Sequence, residues 1–400
     1  MKAWTMWLLA ALFYALDYFQ HTAPSVLILP IAHSLQTPMT TIGNIMSLYF
    51  PVYAISQIPA GILLDRYGLK HTLTAACCIV SIGLYCSTHL SLNLLLLGRI
   101  LVAIGSAFAF LGAIKAASLW LSRKIFPIAV GLTNTIGVIG GLLGQPLLNE
   151  LILRYHWQQA LLMITSFGLL LAILLVLFLQ SPRTSLVRKH QPLSFQHILK
   201  TKPLWLLALY AGIMVGTVVN AIAELYGVPF LQDTLHLSSE YAATLNSMTF
   251  VGIAFGGPLH GVIASRFRVK RRWMLIANTI TIFLFALMML IPTGYIPLPL
   301  IFVLYFLIGF FVSSMLLSFG IVRSHYPEDS HASIFAFINM IIGIGGAVSQ
   351  ILLGSELAYL FHHHLDQQSF TFSILILLVP LLLSWYCCKR IQKAIFLLPA

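Results

Sequence analysis

The chain has 400 residues, 59% of them hydrophobic and 8% charged, with a formal net charge of +12 and a mean hydropathy of +0.94. Soluble domains carry about a quarter charged residues, so this balance excludes that class and reads as a membrane protein. The five cysteines, Cys77, Cys78, Cys86, Cys387 and Cys388, sit in or beside apolar stretches, which leaves no disulfide framework and no metal-ligand spacing.

A spanning helix needs roughly 20 apolar residues. About twelve such runs occur, near 5–29, 41–64, 72–89, 92–120, 126–150, 157–180, 203–230, 241–264, 273–292, 298–321, 331–355 and 369–388. They are long and continuously apolar, unlike the short alternating segments of a β-barrel. An all-α membrane protein of twelve transmembrane helices is predicted. The first run, from Trp4 to Leu29, is too long for a signal-peptide core and lacks a small-residue cleavage site, so it is the first of the twelve.

Taken in order, that first run carries Asp17 and His21 one turn apart, with Tyr14 on the same face. Ionisable groups within a bilayer are costly and mark function. The second run ends in Gly61 and turns through Asp65, Arg66, Gly68 and Lys70. Gly61 and Gly68 allow a tight turn and close helix approach, and Asp65 can face the positive amino-terminal end of a neighbouring helix. Such a contact would latch the inner face, while Arg66 and Lys70 also act as determinants of orientation. The fourth run holds Arg99 and, about 160° round the helix, Lys115, placed near the inner end to snorkel to the interface.

The fifth run contains Asn134 and Gln145, 11 residues apart or about three turns. Residues 181–202 form the longest polar stretch and read as a cytoplasmic linker. The seventh run carries Tyr210, Thr217, Asn220 and Glu224 at helical spacing, a polar stripe expected to face a pore. The eighth ends in Gly261 and repeats the charged turn with Ser265 where Asp65 stood, so the inner latch is expected to be asymmetric. In the eleventh, Asn339 and Gln350 repeat the Asn134 and Gln145 pair at an offset of 205. These four carboxamides either bind substrate or hold neighbouring helices together. His362, His363 and His364 read as an outer loop and take no role. The repeat predicts two six-helix halves, 1–180 and 203–400, around the linker.

Of the 22 Lys and Arg residues, 19 fall in segments that share one side if the amino terminus is cytoplasmic; Arg154 lies opposite, and Arg99 and Lys115 lie within the fourth run. This is the positive-inside bias. It places both termini in the cytoplasm and accounts for the net charge without a nucleic-acid partner. A reporter inserted within residues 183–200 is therefore expected to be cytoplasmic and one at 362–364 external; finding both on one side overturns the twelve-helix plan.

The stretch GILLDRYGLK, with Gly61, Asp65, Arg66, Gly68 and Lys70 in place, resembles the signature between the second and third helices of the major facilitator superfamily. Arg99 in LLLGRILVAIGSAFAF resembles its fourth-helix signature, and the glycine run of the fifth helix fits too. More narrowly, YFQHTAPSV, QIPAGILLDRYG, GSAFAFLGAIK and ELYGVPFL resemble the phagosomal-transporter branch of intracellular bacteria, with His21 where an arginine is expected. The superfamily resemblance implies two pseudo-symmetric six-helix bundles rocking around a central site lined by helices 1, 4, 7 and 10. The branch implies uptake of amino acids or nucleosides.

Depths counted at ~1.5 Å per residue place His21, Arg99 and Glu224 about 9 to 12 Å from the outer face and Asp17 about 18 Å, so helices 1, 4 and 7 can share a charged cluster or a structural ion pair. No phosphate loop or catalytic triad is present, which argues against ATP-driven pumping and against an enzyme. The expected protein is a monomeric secondary transporter of the bacterial inner membrane. It imports a small polar solute, with protons as the candidate coupling ion and no metal or cofactor. Export of a metabolite, siderophore or drug, and a receptor or scaffold without flux, are the alternatives.

Overall fold

The computed structural model describes residues 2–37, 39–180, 195–267, 270–288, 291, 296–362 and 376–394. Among these residues there is no strand, and eight helices are long and apolar enough to cross a membrane.

The first predicted run is two helices, α1 (Lys2–Thr22) and α2 (Pro24–Leu35), the second opening on a proline whose missing N–H is harmless in a first turn. The second run is also divided, into α3 (Met39–Ser47) and α4 (Tyr49–Tyr67), because Pro51 has no N–H to return to the Ser47 carbonyl. Next come α5 (Leu69–Ser87), α6 (Leu92–Ser106) and α7 (Ala109–Trp120), and Ser91 caps α6 by accepting from the Leu94 N–H at 3.5 Å. Helix α8 covers Phe126–Phe178, but His156 within it takes φ 63° and ψ 157°. That break falls where the fifth and sixth runs were expected to part.

After α9 (Phe195–Lys200), the seventh run resolves into α10 (Lys202–Val215), a π-helical stretch Gly216–Tyr226 and α11 (Gly227–Leu235). Then follow α12 (Ser239–Arg266), α13 (Lys270–Leu287), α14 (Leu298–Val312) and α15 (Leu317–His325), with a 3₁₀ turn at Ser313–Leu316. A second 3₁₀ turn, Glu328–Ser330, leads into α16 (His331–His362), and α17 is Leu378–Ala394. His363, His364, most of the linker and the start of the twelfth run lie outside the described residues.

The chain forms two compact units. One comprises Met1–Arg123, Thr133–Leu193 and Tyr326–Ala336, the other Lys124–Leu132, Ser194–His325 and Phe337–Ala400. In the first, Phe13, Ile31 and Tyr49 are fully buried, and the Trp7 indole donates to Thr133 Oγ1 at 2.9 Å. In the second, Tyr210, Phe285 and Phe319 are fully buried, and Asn278 Nδ2 donates to Ser384 Oγ at 3.0 Å. Leu169, Leu170, Ile173 and Leu177 of α8 are exposed, the apolar face a lipid-embedded helix presents.

Candidate functional site

The candidate site residues fall into three polar groups. The first, in the first unit, is the charged turn after α4. That helix stops because Gly68 takes φ 82°, which glycine adopts without steric cost. At Gly61 an added Cβ would lie 2.6 Å from Ala336 Cβ and 2.7 Å from the Ala332 carbonyl oxygen, so α16 meets α4 at a separation only glycine permits.

One turn on, the Asp65 carboxylate receives the amino-terminal end of α16. The N–H groups of Ala332 and Ser333 donate to it at 3.1 and 2.8 Å, and Ser333 Oγ donates at 2.7 Å. Helix starts leave their first N–H groups without intrahelical partners, and here a buried carboxylate takes two of them. Lys115 departs from expectation. Its ammonium does not reach for the interface but stands 2.8 Å from Asp65 Oδ1, both side chains being buried. Opposite charge was available close by, so the stem had no need to extend. Arg66 is exposed, its guanidinium 5.4 Å from the Tyr67 ring centroid, and Lys70 is half-buried.

In the second unit the same approach recurs without the acid. A Cβ on Gly261 would sit 2.6 Å from Ile128 N, at the start of α8. Ser265, at the place of Asp65, has a buried hydroxyl with no hydrogen-bond partner among the described residues. The glycine approach is thus repeated and the anion is not.

The second group lies on α1, α4 and α6 in the first unit. Asp17 is 4% exposed and accepts from the Tyr49 hydroxyl at 2.9 Å. Arg99 sits over the face of that same ring, 4.6 Å from its centroid, and its Nε donates to the Met46 carbonyl at 3.1 Å. Tyr49, which the sequence pattern did not single out, therefore links the two charges. No carboxylate lies within ion-pair distance of Arg99 among the described residues. Arg99, Gln20, Ser87 and Met46 line a small void that is otherwise apolar, and Gln20 Nε2 is buried there without a partner among the described residues. The His21 side chain lies outside the described residues.

The third group is in the second unit. Along the π-helical stretch, Asn220 Nδ2 donates to Glu224 at 2.8 Å, and Gln350 Nε2 donates to the Asn220 carbonyl at 3.0 Å. Thr217 and Ser349 hydroxyls are 3.5 Å apart. A π-helix misaligns the backbone ladder, and side-chain amides take up its carbonyls: Asn246 Nδ2 donates to Ala223 O at 2.7 Å. Tyr210 is buried apart from these, paired with Ser314 at 3.1 Å, so the expected stripe is not continuous. Asn134 is buried in α8 and Asn339 is half-buried in α16; the Gln145 side chain lies outside the described residues. Asp17 and Arg99 belong to one unit and Glu224 to the other.

A bundle of apolar helices with a broken seventh span and buried charge is the class of polytopic transporter folds. The sequence profile of the Major Facilitator Superfamily matches residues 7–350, and the chain belongs to that superfamily. Its fold is accordingly the all-α one of twelve transmembrane helices in two pseudo-symmetric six-helix bundles. The structure of FucP, a transporter of the same superfamily in its outward conformation, overlays with a TM-score of 0.75 at 17% identity, covering 98% of this chain and 99% of that one. An inward-facing bacterial homologue of the human lysosomal transporter Spinster gives 0.64 at 17% identity, covering 99% and 98%.

Among sequence relatives, the transporter YybO of Bacillus subtilis is 30% identical over 200 residues, 47% of this chain and 46% of its own. The galacturonate transporter of Dickeya chrysanthemi is 30% identical over 142 residues, 35% and 41%, and the hexuronate transporter of Bacillus subtilis 27% over 161 residues, 40% and 38%. The chain thus spans less than half the length of these relatives.

Proposed function

We propose that the protein is a secondary transporter of the bacterial inner membrane, importing a small organic anion by alternating access with a proton as coupling ion. The observation that carries the substrate class is Arg99, a buried guanidinium beside the Nε2 of Gln20, the first with no carboxylate and the second with no hydrogen-bond partner among the described residues. A buried cation is costly unless paired, and two donors flanking a void suit the carboxylate of a solute. The names of the galacturonate and hexuronate relatives support the same class. Of the two solutes the narrower resemblance implies, an amino acid offers a carboxylate and a nucleoside does not. Asp17 is the proposed proton carrier, Asn220 and Glu224 line the solute's path, and Asp65 at the start of α16 latches the inner face, which must open in each cycle.

Counterflow in liposomes tests this reading, with labelled uronates, aldonates, amino acids and nucleosides. Exchange of one or more carboxylates is the expected result. Flux restricted to nucleosides overturns the substrate class, and binding without flux makes the protein a receptor.

A further inference from the structure

We infer that Lys115 is a positioning residue of the inner latch whose effect reverses sign with Asp65: it braces α16 while the carboxylate lies between them and repels α16 once that charge is gone. The inference rests on the reading of the protein as an alternating-access transporter.

Among the described residues Lys115 Nζ makes two contacts, to Asp65 Oδ1 at 2.8 Å and to the Glu328 carbonyl oxygen at 2.6 Å. Both lie in the first unit with residues 326–336. Three residues along the same face of α7, Ser118 Oγ is 2.7 Å from His331 Nδ1, and His331 Nε2 is 3.0 Å from the Tyr326 carbonyl. Helix α7 therefore holds the entry to α16 at two points, one turn apart.

The electrostatics make the first point conditional. The amino-terminal end of α16 carries partial positive charge, and an ammonium beside it is adverse. Asp65 converts this into an attraction, because one carboxylate accepts from Lys115, from Ala332 and Ser333 N–H, and from Ser333 Oγ. Replace the carboxylate by a neutral amide and two positive groups face each other. The amide's own NH₂ then points a further donor at either the ammonium or the helix start. Removing Lys115 alone leaves Asp65 with its three donors from α16, a smaller loss.

The variants Asp65→Asn and Lys115→Met are thus expected to be strongly non-additive. Hydrogen exchange of the Ala332 and Ser333 amides reports the contact directly, in purified protein in nanodiscs without substrate. Asp65→Asn is expected to speed exchange there by about 100-fold, the scale for breaking a buried charge pair. Lys115→Met gives about tenfold. The double variant is expected to return to about tenfold, slower than Asp65→Asn alone, since contacting residues do not add. Lys115→Arg keeps the charge and is expected to stay within about threefold of the parent.

Thermal unfolding of each variant separates local release from loss of fold, and the double variant restores neutrality if either single one proves unstable. A double variant exchanging as fast as Asp65→Asn, or faster, overturns the inference, as does Lys115→Met exchanging like the parent. The readout needs no transport. An intact exchange pattern in a protein without flux would strike the transporter reading and leave the electrostatics standing.

Discussion

Arg99→Lys is expected to raise the half-saturation concentration for a carboxylate solute by about 30-fold, a loss of about 2 kcal/mol, while the fold persists. The guanidinium is planar and carries five donors. One of them, Nε, is spent on the Met46 carbonyl, and the ring of Tyr49 supports the plane from one side. The remaining fork is suited to a bidentate carboxylate. A lysine brings the charge and three donors on a single nitrogen but not the planar fork, so the bidentate match to the solute carboxylate is lost even where the bond to Met46 is kept. Arg99→Leu would leave the Met46 carbonyl buried and unsatisfied at about 1–3 kcal/mol, which confounds binding with stability. The lysine variant is the sharper probe. If its unfolding temperature falls while half-saturation is unchanged, Arg99 is a staple for the break between α3 and α4, and the anion reading fails.

The Arg99 bond to the Met46 carbonyl, at the break between α3 and α4, is a contact that no local sequence pattern announces. The apolar runs suffice for helix number and class, because lipid demands long uninterrupted apolar helices whatever their partners. The break near residues 150–157 was visible and falls at His156. The breaks inside runs were not. Pro51 marks the one in the second run, but the π-helical stretch Gly216–Tyr226 carries no proline. It is held by amides from Asn246 and Gln350, one far along the chain, and no local pattern announces such partners.

The site was legible to the same depth. Gly61 and Asp65 were singled out from a turn that has no apolar reason to exist, and the anion-to-helix-start contact follows from elementary electrostatics. For Lys115 the sequence implies snorkelling, because depth along its own helix is legible and the charge on another helix beside it is not. Asp65 and Lys115 are 50 residues apart, yet both lie toward the carboxyl-terminal ends of their helices, α4 and α7, and a buried acid at matching depth is the signal that joins them. Tyr49 escaped because an aromatic in an apolar run looks like core. Only its hydroxyl on Asp17 and its face under Arg99 distinguish it.

Asp17→Asn is expected to abolish pH-driven accumulation while leaving solute exchange within about threefold of the parent. One proton moved per solute, with the membrane potential clamped, sustains about tenfold accumulation per pH unit, since each unit is worth 1.36 kcal/mol; the variant is expected to fall to no accumulation. The geometry favours Asp17 for this role. It is buried, and its carboxylate is not locked in an ion pair with Arg99 but takes a hydrogen bond from Tyr49. A phenol donates to a carboxylate and accepts from a carboxylic acid, so the bond survives both protonation states. Asparagine keeps the shape and a partner for Tyr49 while removing the titration. Glu224, bonded to Asn220 on the π-helical stretch, is accessible and, as an acceptor, suited to the hydroxyl or ammonium groups of a solute whose carboxylate is held elsewhere. Glu224→Gln is expected to weaken binding and to keep the dependence on pH. A pH-jump assay in liposomes separates the two acids. If Asp17→Asn accumulates solute as the parent does while Glu224→Gln does not, the coupling group is Glu224 and the proton follows the second unit.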